Sequence, residues 1–126
     1  MPFQNILLID DDEEDQEIFL AAVEEVSPAT GCTCLSDATG ALASLTAKDI
    51  RPDVIFLDLN MPVMNGRQFL QRIKQSTLLE DIPVVIFTTS SDPATIQQMK
   101  DMGAHDFITK PSSYDELVET LAPFIT

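Results

Sequence analysis

Ile6-Leu7-Leu8-Ile9-Asp10-Asp11-Asp12 joins four consecutive apolar residues to three consecutive acids. Four apolar residues are too few for a helix. They are also too uniformly apolar for a strand with one wet face, so the run reads as a strand covered on both sides. The same pattern recurs at Val54-Ile55-Phe56-Leu57 and Val84-Val85-Ile86-Phe87, and more weakly at Phe107-Ile108-Thr109. A further strand fits around Thr33-Cys34-Leu35.

Segments of helical spacing separate these runs. The first carries Ile18, Phe19, Ala22, Val23 and Val26, an apolar stripe along one face. A second follows Asp37 with Ala38, Ala41, Leu42 and Leu45, and a third carries Phe69, Leu70 and Ile73. A fourth starts at Asp92-Pro93, a capping residue followed by proline at the first helical position, and ends before Gly103. The last starts at Ser113 with Glu116 three residues on, the signature of a capping box, and is expected to stop at Pro123. Strand and helix thus alternate five times. Right-handed crossovers turn that alternation into an open α/β fold, a five-stranded parallel sheet with helices on both faces.

Composition narrows the function. The chain has 126 residues, 44% of them hydrophobic, which fits one domain spanning 1–126 with a real core. Twenty-one acids against 7 bases leave a formal charge of −14, a surface that repels nucleic acid and anionic membranes alike. No apolar run approaches the roughly 20 residues of a membrane span. The N-terminus lacks the basic and apolar regions of a secretory signal. Cys32 and Cys34 fall on one face of a strand and read as packing residues, which points to a reducing, cytoplasmic setting.

In such folds ligands bind beyond the carboxyl ends of the strands. Asp10, Asp11 and Asp12 follow the first run, Asp58 the third strand, Thr88 to Ser91 the fourth, and Lys110-Pro111 the fifth. Asp12, Glu13, Glu14, Asp15 and Glu17 are explained as a solvated helix start, where acids complement the dipole. Asp10 and Asp11 close a buried strand. Carboxylates converging there with Asp58 are costly unless a cation neutralises them, and an all-oxygen donor set suits Mg²⁺. A metal-bound aspartate can attack phosphorus, and Lys110 would be the fixed positive partner of the incoming phosphate. Thr88 is either a capping hydroxyl or a hydrogen-bond donor to that phosphate.

Ile6-Leu7-Leu8-Ile9-Asp10-Asp11, Asp58-Leu59-Asn60-Met61-Pro62 with Gly66, Thr88, Gly103-Ala104, Phe107 and Lys110-Pro111, in this order and spacing, closely resemble the receiver domain of two-component response regulators. The resemblance spans about Asn5 to Ala122. It implies a flavodoxin-like strand order 2-1-3-4-5. It implies that Asp58 is the phosphoacceptor, supplied by a phosphohistidine of a histidine kinase or histidine phosphotransfer protein. Mg²⁺ would be held by Asp11, Asp58 and the carbonyl of Asn60, with Asp10 acting through water. Lys110 would pair with the phosphate, Thr88 would move to meet it, and Phe107 would turn inward. Asn60 and Ser90 would flank the path of attacking water, the Lys110–Pro111 bond would be cis, and output would leave through the fourth helix, fifth strand and fifth helix.

Where many receivers carry Tyr, this chain has Phe107, so a switch there rests on packing alone; a plain core role weighs equally. His105, the single histidine, reads as a surface residue, and the methionines Met61, Met64, Met99 and Met102 as gap fillers. Three aspartates after the first strand would repel the phosphate of a flavin nucleotide. Asn60, where a phosphohydrolase of the haloacid dehalogenase type has its general acid, argues against that enzyme. The remaining alternative is a receiver-like interaction module that acts without phosphorylation. Expected properties are therefore a non-enzymatic switch, no nucleic-acid or membrane partner, no attached output domain, and an unknown downstream protein.

Overall fold

The computed structural model describes residues 3–61 and 63–125; Met1, Pro2, Thr126 and Pro62 of the Asp58–Pro62 motif lie outside the described residues. Ten elements alternate along the chain: β1 (Asn5–Ile9), α1 (Glu13–Val26), β2 (Gly31–Leu35), α2 (Ala38–Thr46), β3 (Val54–Leu57), α3 (Gly66–Gln75), β4 (Val84–Thr88), α4 (Pro93–Asp101), β5 (Asp106–Thr109) and α5 (Tyr114–Ile125). The strands form one parallel sheet in the order β2-β1-β3-β4-β5, the expected topology.

Strict alternation of side chains divides each central strand between two cores. Leu7, Ile9, Ile55, Leu57, Val84 and Ile86 face α2, α3 and α4, where Leu45, Phe69, Ile73 and Met99 are fully or almost fully buried. Ile6, Leu8, Val54, Phe56, Val85 and Phe87 face α1 and α5. On that side Phe19 packs edge-to-face on Phe56 and Phe87, with ring centroids 5.2 and 5.6 Å away. Cys32 and Cys34 are free thiols packed against this second core, as their shared face on β2 predicts.

The helix starts follow local capping chemistry. Asp12, Asp37 and Asp92 each accept backbone N–H bonds from the first turn of α1, α2 and α4, and Asn65 with Gln68 forms a full capping box on α3. Pro93 opens α4, and Gly103, at φ +100°, follows its end in the left-handed region that glycine takes without strain.

Three expectations fail, two of them for tertiary reasons. Ile18 is 45% exposed, because Phe19, Ala22 and Val23 satisfy the sheet and the stripe is narrower than its sequence spacing implies. Pro123 does not stop α5, which runs on to Ile125. The proline removes one N–H bond in the last turn, while Leu121 and Ile125 are buried and Phe124 packs on the second core. The carbonyl of Phe124 also accepts the N–H of Phe3 at 2.9 Å. Finally, no peptide bond among the described residues is cis, so Lys110–Pro111 is trans. The intrinsic preference for trans, about 0.5–1 kcal/mol, is not overturned here.

Candidate functional site

The sheet's hydrogen-bond ladder extends one residue beyond the strands and fixes the site's backbone. Asp10 donates its N–H to the carbonyl of Leu35 at 3.0 Å, Asp58 to Ile9 at 3.0 Å, and Lys110 to Thr88 at 2.7 Å. Residues 10, 58 and 110, far apart in sequence, are thereby set at the ends of β1, β3 and β5 with their side chains converging. Gly66 seats the turn after Asp58 against the start of α3. A Cβ at that position would lie 2.6 Å from the carbonyl oxygen of Asp58 and 2.7 Å from Cα of Leu59.

Asp10, Asp11 and Asp58 each offer a carboxylate oxygen, all within 4.8 Å of one another. Asp10 is fully buried and Asp58 is 6% exposed, whereas Asp11 faces solvent. Asp58 Oδ1 accepts the N–H of Asn60 at 3.2 Å, and the Asn60 amide donates to the hydroxyl of Thr88 at 3.4 Å. Thr88 is buried, and Phe107 is half-buried against the core beneath α2, α3 and α4. Of the seven site residues expected from sequence, six thus meet at one mouth, and Phe107 lies on β5 behind it.

Lys110 is the cation of the cluster. Its ammonium donates to Asp10 Oδ2 and to Asp15 Oδ2, both at 2.8 Å, and stands 3.6 Å from Asp58 Oδ2. It also lies 5.7 Å from the centre of the Phe87 ring. Burial alone would lower the lysine's pKa. The hydrogen bonds to Asp10 and Asp15 and the charges of Asp10 and Asp58 outweigh it, so the pKa is raised above its ordinary 10.5. Burial acts the other way on Asp10, raising its pKa above the ordinary 3.8. The hydrogen bonds from Lys110 and the N–H of Asp12 offset this in part, and the charge of Asp58 adds to it. Three carboxylates around one ammonium, with Asp11 beside two of them, leave an excess of negative charge, and the donors are all oxygens. That chemistry fits a hard divalent cation.

The sequence places Asp15 in a solvated helix start, but in the structure its carboxylate pairs with Lys110 at 2.8 Å. Once Asp12 caps α1, Asp15 falls in the first turn beside the strand ends and within reach of Lys110. The cap is the signal that could have found it. Gln16 was missed as well. Its amide donates to the carbonyl of Asp10 at 2.6 Å and to Ser36 Oγ at 3.1 Å, tying α1 and the β2–α2 loop to the site. The solvated reading of Asp12 holds, since its carboxylate caps the N–H groups of Glu14 and Asp15. His105 is exposed at the other end of the sheet, where its N–H meets the carbonyl of Val84 at 2.8 Å. Met61, Met64, Met99 and Met102 all pack in or against the first core.

The chain belongs to the response regulator receiver domain family, whose pattern matches residues 6–122. It is 33% identical over 118 residues to the phosphate regulon transcriptional regulatory protein PhoB of Pseudomonas aeruginosa, covering 94% of this chain and 50% of that one. The chain therefore spans about half the length of curated relatives of this kind. Among solved structures, the phosphorylated cyanobacterial phytochrome response regulator RcpA superposes with a TM-score of 0.87 at 30% identity, over 95% of this chain and 89% of that one. The Mn²⁺-bound response regulator Rcp1 superposes with a TM-score of 0.81 at 29% identity, over 95% and 90%. The family is in general a non-enzymatic signalling module, its members interact with histidine kinases, and its receiver domains bind Mg²⁺ at an acidic pocket. No helix among the described residues is long and apolar enough to cross a membrane.

Proposed function

We propose that this chain is a phosphoacceptor switch, taking a phosphoryl group from a phosphohistidine onto Asp58. The observation that carries the reading is a nearly buried Asp58 within 4.8 Å of two further carboxylates and 3.6 Å from the Lys110 ammonium. The phosphorylated and metal-bound states of the similar RcpA and Rcp1 support it.

An oxygen of Asp58 forms the new P–O bond as the P–N bond to the donor imidazole breaks, and the proton needed by the departing imidazole comes from solvent. Asp11, Asp58 and the Asn60 carbonyl would hold Mg²⁺, with Asp10 acting through water. The ion supplies neutralisation of charge on the transferring group. Lys110 already spans Asp10, Asp15 and Asp58. A phosphate on Asp58 would compete for its ammonium and draw it from the partly exposed Asp15 side. The Thr88 hydroxyl, now accepting from the Asn60 amide, turns to a phosphate oxygen, and Phe107 repacks behind it. The change then leaves through α4, β5 and α5 to a protein partner, with no nucleic-acid or membrane step, in the cytoplasm.

The test is acetyl phosphate or beryllofluoride with Mg²⁺. Wild type gains one acid-labile phosphoryl group per chain, and its amide spectrum shifts around Thr88 and Phe107. Asp58→Asn abolishes both effects. A variant that responds like wild type overturns the assignment and leaves an interaction module acting without phosphorylation. Catalytic turnover of a phosphate ester would point to a hydrolase instead.

A further inference from the structure

At the end of the sheet away from Asp58 lies an open cleft of about 240 Å³, lined by apolar Leu45, Ile50, Leu78 and Ile82 together with Lys48 and Arg51. Two of the seven bases of a chain with 21 acids meet at this one cleft, and no carboxylate lines it. Asp49, Glu80 and Asp81 adjoin it in sequence, but none is among the lining residues. Asp53 is turned away, its carboxylate accepting the N–H groups of Gln4 and Asn5 at 3.0 and 2.9 Å. Ile50, Arg51 and Pro52 also border a second cleft of about 220 Å³ beside β1 and β2, which has no acid in its lining either.

The two cations are uncommitted. Arg67 donates to Gln98, Lys74 to the carbonyl of Glu80, and Lys110 to the aspartates of the site. Arg72 and Lys100 also lack side-chain partners among the described residues, but only Lys48 and Arg51 share one apolar cleft. Neither Lys48 nor Arg51 has an ion pair or a side-chain hydrogen bond within the described residues. Lys48 also sits at φ +63°, just past the end of α2, in a conformation for which glycine is the low-cost occupant. The apolar floor is likewise under-covered, since Leu78 is 50% exposed between buried Leu79 and the other lining residues. An apolar hollow beside unpaired cations, on an otherwise strongly acidic molecule, complements a ligand with an apolar body and a single negative head. Its volume lies below the roughly 300 Å³ at which drug-sized pockets begin, so the body is a short chain or one ring.

The geometry points to a second binding site on this chain, a cleft for a small amphiphilic carboxylate held by Lys48 and Arg51 over Leu45, Ile50, Leu78 and Ile82. The site is separate from the Asp58 cluster and independent of its phosphorylation chemistry.

Amide-resolved NMR titration with sodium decanoate below its micelle concentration tests this, with decanol and sodium sulfate as the apolar-only and charge-only probes. Decanoate saturates a single site, with shifts confined to residues 45–52 and 78–82. Decanol and sulfate each bind about tenfold more weakly or worse, the loss expected when one charge-assisted or apolar contact set is missing. Lys48→Gln with Arg51→Gln reduces decanoate to the level of decanol, and Leu78→Asp removes binding, while both variants keep the wild-type Mg²⁺-dependent response at Asp58 as proof of folding. Equal binding of decanoate and decanol overturns the proposal, as do shifts spread over several faces or an unaffected double variant. Concentration-dependent shifts at these residues without ligand would also overturn it, because a second copy of the chain would then be the occupant.

Discussion

Gly66→Ala probes the link between helix packing and phosphoacceptor chemistry. The added Cβ would meet the carbonyl oxygen of Asp58 at 2.6 Å and Cα of Leu59 at 2.7 Å, where ordinary contacts begin at 3.4 Å. Both are backbone atoms, so no rotamer change relieves them. The turn carrying Asp58 to Asn60 must move off the start of α3 by about 0.8 Å, and the Gly66 N–H bond to the Leu59 carbonyl, now 3.2 Å, must stretch or tilt. Overpacking of this kind costs about 1–3 kcal/mol. Alanine returns about 0.4–1 kcal/mol by restricting the unfolded chain. A net destabilisation of about 1–2 kcal/mol follows, read as a lower urea midpoint with unchanged slope. The functional loss is larger, since a misplacement near 1 Å can slow a positioned reaction about 100-fold. Acetyl phosphate labelling under Mg²⁺ measures it. Gly40→Ala is the control, because its Cβ would meet only the Asp37 side chain, at 3.1 Å. If Gly66→Ala labels at the wild-type rate with wild-type stability, the turn is not set by its contact with α3 and the reasoning fails.

Lys110→Met leaves Asp10 fully buried without its cation and should destabilise by about 3 kcal/mol in urea unfolding; a loss below about 1 kcal/mol would mean that Asp10 is already neutral. Because the pKa of Lys110 is raised on folding, its contribution is complete below its ordinary 10.5 and fades as pH climbs through the higher folded value. The gap between wild type and Lys110→Met should therefore stay flat from neutral pH to about 10 and close only in stronger alkali, as urea midpoints against pH will show. Asp10 has the opposite consequence. Its pKa is raised above 3.8, so protons compete for the site as pH falls through that raised value, and the midpoint shift produced by Mg²⁺ should shrink in acid before an unperturbed aspartate would allow. Phe19→Ala removes the ring that contacts both Phe56 and Phe87 and should cost about 3–5 kcal/mol without changing which residue is phosphorylated; labelling shifted away from Asp58 would contradict the independence of core and site.

The central strands β1, β3 and β4 were legible in the chain because each is a short run buried on both faces, a signal carried by neighbouring residues, whereas the edge strands β2 and β5 are only partly buried and read more weakly. Asp10 and Asp58 were legible for the same reason, each being the first polar residue after such a run, Thr88 as the polar residue that closes one, and Lys110 as the cation that follows the weaker fifth run. Asp12, Asp37 and Asp92 could be placed because capping acts within one turn. The structure alone decided what depends on partners distant in sequence. Lys110 meets Asp15 as well as Asp10 because α1 starts beside the end of β5, and no spacing within Asp10–Glu17 distinguishes Asp15 from its solvated neighbours. Pro123 stays within α5 because Leu121 and Ile125 find the second core, and Ile18 is left outside because Phe19 reaches that core first. Gly66 could be seen as part of a motif, but that its missing Cβ makes room for the Asp58 carbonyl is visible only once α3 is docked. That Lys48, Arg51 and Leu78 line one cleft belongs to the same class. Local pattern determined which residues stand at the strand ends; the docking of helices on the sheet determined which charges they meet.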